Sequence, residues 1–146
     1  MSRKNDGKES EKALFTELKR VMEYEANFIV GRFADTHDAR NFLPPAPSDY
    51  YITYNGTPCL VEVKSSVDPV RFPWKNISGK QLGFSRRYIK AGWCSLFVIH
   101  RVDLDIWYFV PFDFIWSQVK GGESSIKWED LLNFKEDLEY KFWSYL

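Results

Sequence analysis

The sequence predicts a single α/β domain, a mixed central sheet flanked by helices. Three observations carry that expectation. Apolar residues recur at helical spacing near the N-terminus and again after Ser78. Asn55-Gly56 separates two β-prone runs, the strongest short-range hairpin signal, because a two-residue type I′ turn needs φ > 0 twice. Two further apolar runs, Cys94 to His100 and Asp105 to Val110, follow the second helix. Helices and strands interleaved in that order give a sheet covered by helices. The 146 residues suffice for one core and show no internal repeat.

Residues 1–10 are charged and poor in apolar groups, so a flexible arm is expected there, with the folded domain spanning 11–146. Ala13, Leu14, Leu18, Val21 and Met22 lie on one helical face between Glu11 and about Glu25. Asn27 to Ala34 reads as a strand, and Thr36 to Ser48, with three prolines, as a loop. The hairpin follows, then a Pro- and aromatic-rich extended segment from Asp68 to Asn76. Ser78 is placed to cap a helix running to about Ala91, with Gly92 at the position after its end. Pro111 opens a short helix to about Val119, Gly121-Gly122 break it, and Glu129 to Leu146 reads as helical.

With Asn55-Gly56 as the turn, register follows by counting outward. Tyr54 faces Thr57, Thr53 faces Pro58, Tyr51 faces Leu60, and Asp49 faces Glu62. The last is a non-hydrogen-bonded pair, which puts two carboxylates on one face of the sheet at close range. Lys64, two residues beyond Glu62, projects from the same face. Adjacent carboxylates repel unless a divalent cation or a shared proton lies between them.

Composition narrows the partner. The net charge is zero, yet Lys64, Arg71, Lys75, Lys80, Arg86, Arg87, Lys90 and Arg101 face a single acid, Asp68, between residues 64 and 101. Positive charge thus gathers beside the acid pair, where a phosphate backbone would lie. The segment 102–146 is acidic. Six Trp, eight Tyr and twelve Phe exceed ordinary needs, which suggests that some rings serve an interface. No apolar run approaches the ~20 residues of a membrane span, and the polar N-terminus does not read as a signal peptide. Cys59 and Cys94, in apolar runs without metal-ligand spacing, fit a reducing cytoplasm and not a structural zinc. His100, ending an apolar strand, reads as structural.

An acid followed at a distance by Glu-Val-Lys, here Asp49, Glu62 and Lys64, resembles the D…(D/E)-x-K signature of the PD-(D/E)XK nucleases. The run E-V-K-S…R-F-P-W-K-N-I-S-G-K-Q-L further resembles the RecU-type and archaeal Holliday junction resolvases, over roughly Thr16 to His100. One departure is visible: the signature's Pro-Asp is here Pro47-Ser48-Asp49, with one residue inserted. The resemblance implies a restriction-endonuclease-like core and a Mg²⁺-dependent endonuclease, with Mn²⁺ able to substitute, that resolves four-way DNA junctions by paired cuts. It implies a homodimer in the cytoplasm, the host's if the enzyme is phage-encoded. A restriction- or repair-type nuclease of the same fold acting on linear, flapped or other branched DNA is the alternative.

Under that resemblance Asp49, Glu62 and the Val63 carbonyl hold the metal. Oxygen-only ligation suits Mg²⁺ or Mn²⁺ better than zinc. Lys64 orients the attacking water or stabilises charge on the phosphorane, unless it only neutralises the two acids. An acid on the first helix joins the site, from Glu17, Glu23 or Glu25, with Glu17 preferred by its spacing from Asp49. Gln81 hydrogen-bonds Lys64 or the water, or is an ordinary first-turn glutamine. Arg71, Lys75, Lys80, Arg86 and Arg87 are phosphate-contact candidates. Phe72 and Trp74 either wedge at the branch point or pin their loop to the core. Phe114, Trp116, Trp128, Trp143 and Tyr145 supply candidates for a dimer contact.

Overall fold

The structure, a computed structural model, describes residues 6–33 and 46–146. Three α-helices, α1 (Asp6–Tyr24), α2 (Gly79–Lys90) and α3 (Phe112–Lys120), pack on a six-stranded sheet. Its order is β1 (Phe28–Arg32), β2 (Tyr50–Tyr54), β3 (Thr57–Ser66), β5 (Cys94–Arg101), β6 (Ile106–Pro111), β8 (Lys135–Glu136). All neighbours are antiparallel except β3 and β5, which run parallel because α2 crosses over between them. The remaining strands, β4 (Arg71–Pro73) and β7 (Ser125–Lys127), pair separately.

The hairpin register is the one counted from the turn: Tyr54 pairs with Thr57, Thr53 with Pro58 and Tyr51 with Leu60. Asn55 and Gly56 both have positive φ, 51° and 83°, as a type I′ turn requires. Ser78 caps α2 through a complete capping box with Gln81, and Gly92 takes φ 100° after its end.

Two apolar clusters sit on opposite faces of the sheet. Leu14, Leu18 and Val21 of α1 meet Val61, Val63 and Val98 on one face; Leu82, Phe112 and Ile115 meet Phe97, Ile99 and Val110 on the other. Alternation along β5 and β6 sends successive side chains to different clusters.

Three expectations need correction. Helix α1 begins at Asp6, so residues 6–10 of the expected arm are helical. Ser10 is buried, and its Oγ lies 2.7 Å from His100 Nδ1, which ties that turn to the sheet. The C-terminal segment is not one helix. It forms a 3-10 stretch at Trp128–Phe134, the short β8, and a 3-10 turn at Phe142–Tyr145. Trp128 and Leu131 fill one cluster while Phe142 and Trp143 fill the other, so the chain must pass around the sheet edge at β8. A straight helix cannot anchor in both. The aromatic surplus also shrinks: Trp128 stacks on Tyr108, and Trp143 packs against Phe28 and Tyr54. Tyr145 alone of the five named rings is largely exposed. The expected loop at 36–48 lies mostly outside the described residues.

Candidate active site

The hairpin brings Asp49 and Glu62 together one step beyond the last paired residue of β2. The Asp49 N–H donates to Glu62 Oε2 at 3.1 Å, and the Val63 N–H donates to Asp49 Oδ2 at 2.7 Å. Each carboxylate thus accepts a main-chain hydrogen bond from the opposite segment. That arrangement needs no strand at residue 49, so the inserted Ser48 is accommodated. Ser48 is itself buried and donates from Oγ to the Tyr50 carbonyl at 2.6 Å, holding the turn that presents Asp49.

Glu62 is 6% exposed, and its carboxyl is raised well above the usual carboxylate range. Burial is the largest cause and the Asp49 charge the second; Lys64 opposes both without reversing them. Lys64 Nζ stands 3.8 Å from Glu62 Oε1. Gln81 Nε2 donates to the same oxygen at 3.0 Å. Gln81, in the first turn of α2, thus reaches the Glu62 carboxylate that neighbours Lys64. Its capping role and its reach into the site are both real.

The acids open onto a cleft of about 390 Å³ lined by Gly7, Lys8, Glu11, Asp49, Glu62, Val63, Lys64, Ser65 and Asn76. Glu11 is the α1 acid in this cleft. Glu17 is not: it forms two hydrogen bonds to Arg20 on the same helix. At 3.6 residues per turn Glu11 and Glu17 flank the Leu14–Leu18–Val21 stripe on opposite edges, and the Glu11 edge meets the hairpin. The Glu11 carbonyl accepts from the Tyr50 hydroxyl, and its carboxylate pairs with Arg32 at 3.3 Å. Burial, then the Asp49 charge, raises the Glu11 carboxyl. Arg32, whose guanidinium lies over the Phe15 ring at 4.7 Å, is a second residue beside the site that sequence reasoning missed.

Among the described residues no three acidic, His or Cys side chains are grouped so as to hold a metal ion by themselves. Two abutting carboxylates and a backbone oxygen at Val63 make an all-oxygen donor set. Its chemistry fits a hard divalent cation, whose charge would offset the repulsion between the two acids.

Arg71, Lys75, Lys80, Arg86 and Arg87 are all exposed. Lys75 adjoins the cleft residue Asn76, and Lys80 precedes Gln81. Arg86 packs its guanidinium over Trp116 at 4.4 Å, while Arg71 donates to Ser125 Oγ at 3.0 Å, and neither lines the cleft. Phe72 and Trp74 are buried and meet edge-to-face, so they pin their loop to the core. His100 stacks on Trp107 with ring centroids 3.9 Å apart, in a separate cavity of about 500 Å³, and does not reach the acids. No described helix is long and apolar enough to cross a membrane.

No protein-family model matches the chain, and no curated protein does. Among solved structures it is similar to Hjc, a Holliday junction resolvase of the archaeal hyperthermophile Archaeoglobus fulgidus, with a TM-score of 0.59 and 18% identity. The match covers 91% of this chain and 97% of that one. At that identity the likeness carries the fold, and the chain is a single α/β domain with the restriction-endonuclease-like architecture of that resolvase.

Proposed function

We propose that the protein is a metal-dependent endonuclease that resolves four-way DNA junctions. The observation that carries this reading is the Asp49–Glu62 pair, interlocked by main-chain hydrogen bonds, with Lys64 beside it in an open cleft. A protein that only binds DNA gains nothing from carboxylates that repel phosphate. The fold likeness to a junction resolvase supports the choice of branched over linear substrate.

Asp49, Glu62 and the Val63 carbonyl would hold Mg²⁺ or Mn²⁺, with Glu11 in the role expected of Glu17. When bound, such an ion polarises the scissile phosphate and lowers the pKa of the attacking water. Lys64 supplies a fixed positive charge where the phosphorane becomes more negative than the ground state. Gln81 holds the Glu62 carboxylate in one orientation, and Lys75 and Lys80 meet the backbone of the entering strand. Two equivalent scissile phosphates in a junction call for two copies of the chain related by a two-fold axis.

Incubating the protein with end-labelled four-way junction and with linear duplex, in Mg²⁺ or in EDTA, tests the reading. Junction cleavage in Mg²⁺ alone is expected. Faster cutting of linear duplex would favour a restriction- or repair-type nuclease, and binding without cutting in Mg²⁺ or Mn²⁺ would overturn it.

A further inference from the structure

We propose that Ser78 is a positioning residue for the active site, acting through the orientation of the Gln81 amide. The proposal rests on the nuclease reading above for its activity measurement. A glutamine amide presents an acceptor on one side and a donor on the other, and rotation by 180° exchanges them. Here the choice is forced. The Ser78 main-chain N–H donates to Gln81 Oε1 at 3.2 Å, so the amide oxygen must face Ser78. The nitrogen is thereby turned toward β3, where it donates to Glu62 Oε1 at 3.0 Å. A flipped amide would set its oxygen against the Glu62 carboxylate and leave the Ser78 N–H without that acceptor.

The other half of the capping box keeps Ser78 in place, because its Oγ accepts the Gln81 main-chain N–H at 3.1 Å. The device that starts α2 is therefore also the device that aims a donor at the buried acid. Helix capping alone would be served by any residue with a side-chain oxygen at Ser78, and it makes no demand on what the amide nitrogen touches.

Proline separates the two roles. Ser78 has φ −71°, and Ile77 before it is extended at φ −105°, ψ 116°, so the backbone accepts proline at 78 with little strain. Ser78→Ala removes the hydroxyl but keeps the N–H that holds the amide; Ser78→Pro removes both. The proline variant is expected to melt no lower than the alanine variant, since its fixed φ restricts the unfolded chain. It is expected to cut junctions about tenfold more slowly, the scale of one hydrogen bond to a charged group. Ser78→Thr, which keeps both groups, should restore wild-type turnover. In a Gln81→Ala background the alanine and proline variants should cut at equal rates.

The second measurement needs no activity. In metal-free protein the side-chain amide ¹H–¹⁵N signals of Gln81 should be dispersed and protected in wild type and Ser78→Thr, and should collapse toward those of a solvent-exposed glutamine in Ser78→Pro. Equal turnover of the alanine and proline variants with unchanged amide signals would overturn the proposal. So would wild-type turnover in Gln81→Ala. If wild type cuts neither junction nor duplex, the nuclease reading fails, and the amide signals alone decide the positioning role.

Discussion

Gln81 Nε2 lies 3.0 Å from Glu62 Oε1, a hydrogen bond that joins the first turn of α2 to the buried acid of β3. It ties the crossover connection to the hairpin, so the parallel β3–β5 pairing and the geometry of the cleft depend on each other. The same oxygen faces Lys64 at 3.8 Å. Glu62 is thus the residue on which the fold and the proposed chemistry make opposite demands.

Glu62→Gln is expected to stabilise the metal-free protein while abolishing cleavage. In the fold Glu62 holds its proton far above the ordinary value of 4.5, through burial first and Asp49 second. A carboxyl raised by folding binds more protons in the folded than in the unfolded state. Stability is therefore lost as pH rises from 4.5 toward the raised folded value, and is present in full below 4.5. Thermal melts in EDTA should show wild type declining over that range and Glu62→Gln declining less, with the two converging near pH 4. A wild-type melting temperature flat in pH would contradict the buried, raised carboxyl.

Exchanging the α1 acids tests the corrected site. Glu11→Gln should lower cleavage by ~10–100-fold, the usual cost of losing a residue that supports a metal site. Glu17→Gln, which weakens an ion pair with the half-exposed Arg20 on the same helix, should change cleavage less than twofold and stability by about 1 kcal/mol or less. The reverse ranking in a junction assay would restore Glu17.

The contrast between these two glutamates shows where sequence reading ended. Asn55-Gly56 specifies a turn with two positive φ angles, and the period of two then fixes every partner out to Tyr50 and Val61, one step short of Asp49 and Glu62. The Ser78 cap was equally legible, because capping is local, whereas the contact from Gln81 to Glu62 is a tertiary one. Which edge of α1 meets the hairpin is a tertiary fact: Glu11 and Glu17 flank the same apolar stripe, and linear spacing from Asp49 favoured Glu17, which does not line the cleft. The start of α1 was hidden because residues 6–10 carry no apolar period and are held by Ser10 against His100 on a strand 90 residues away. Likewise Trp128 and Leu131 stand at helical spacing, yet they belong to one face of the sheet while Phe142 and Trp143 belong to the other.

Lys64→Ala should reduce turnover by ~10²–10³-fold, the cost of removing one group that stabilises transition-state charge. The Mg²⁺ concentration for half-maximal rate should change little, because lysine donates no metal ligand. Rates measured across a Mg²⁺ titration separate the two effects. A retained rate would leave Lys64 as a counter-ion to Glu62 and nothing more.

Replacing Arg86 and Arg87 with Ala should weaken junction and plain duplex binding alike, since an arginine paired with phosphate reads neither sequence nor branching. Each arginine–phosphate pair removed should lower the log–log salt slope of binding by roughly one. Because Arg86 also packs over Trp116, a small loss of stability is expected with it. An unchanged slope would place this face of α2 away from DNA.

The central claim is that the Asp49–Glu62–Lys64 cleft cuts junctions in symmetric pairs. Its most direct test is a four-way junction prepared four times, each with a different strand end-labelled, and incubated with wild type or with Asp49→Asn in Mg²⁺. The account predicts incisions at equivalent positions on two opposite strands with wild type. With Asp49→Asn it predicts no incision and binding as tight as wild type or tighter. Cuts scattered over all four strands, or incision that survives Asp49→Asn, would contradict it.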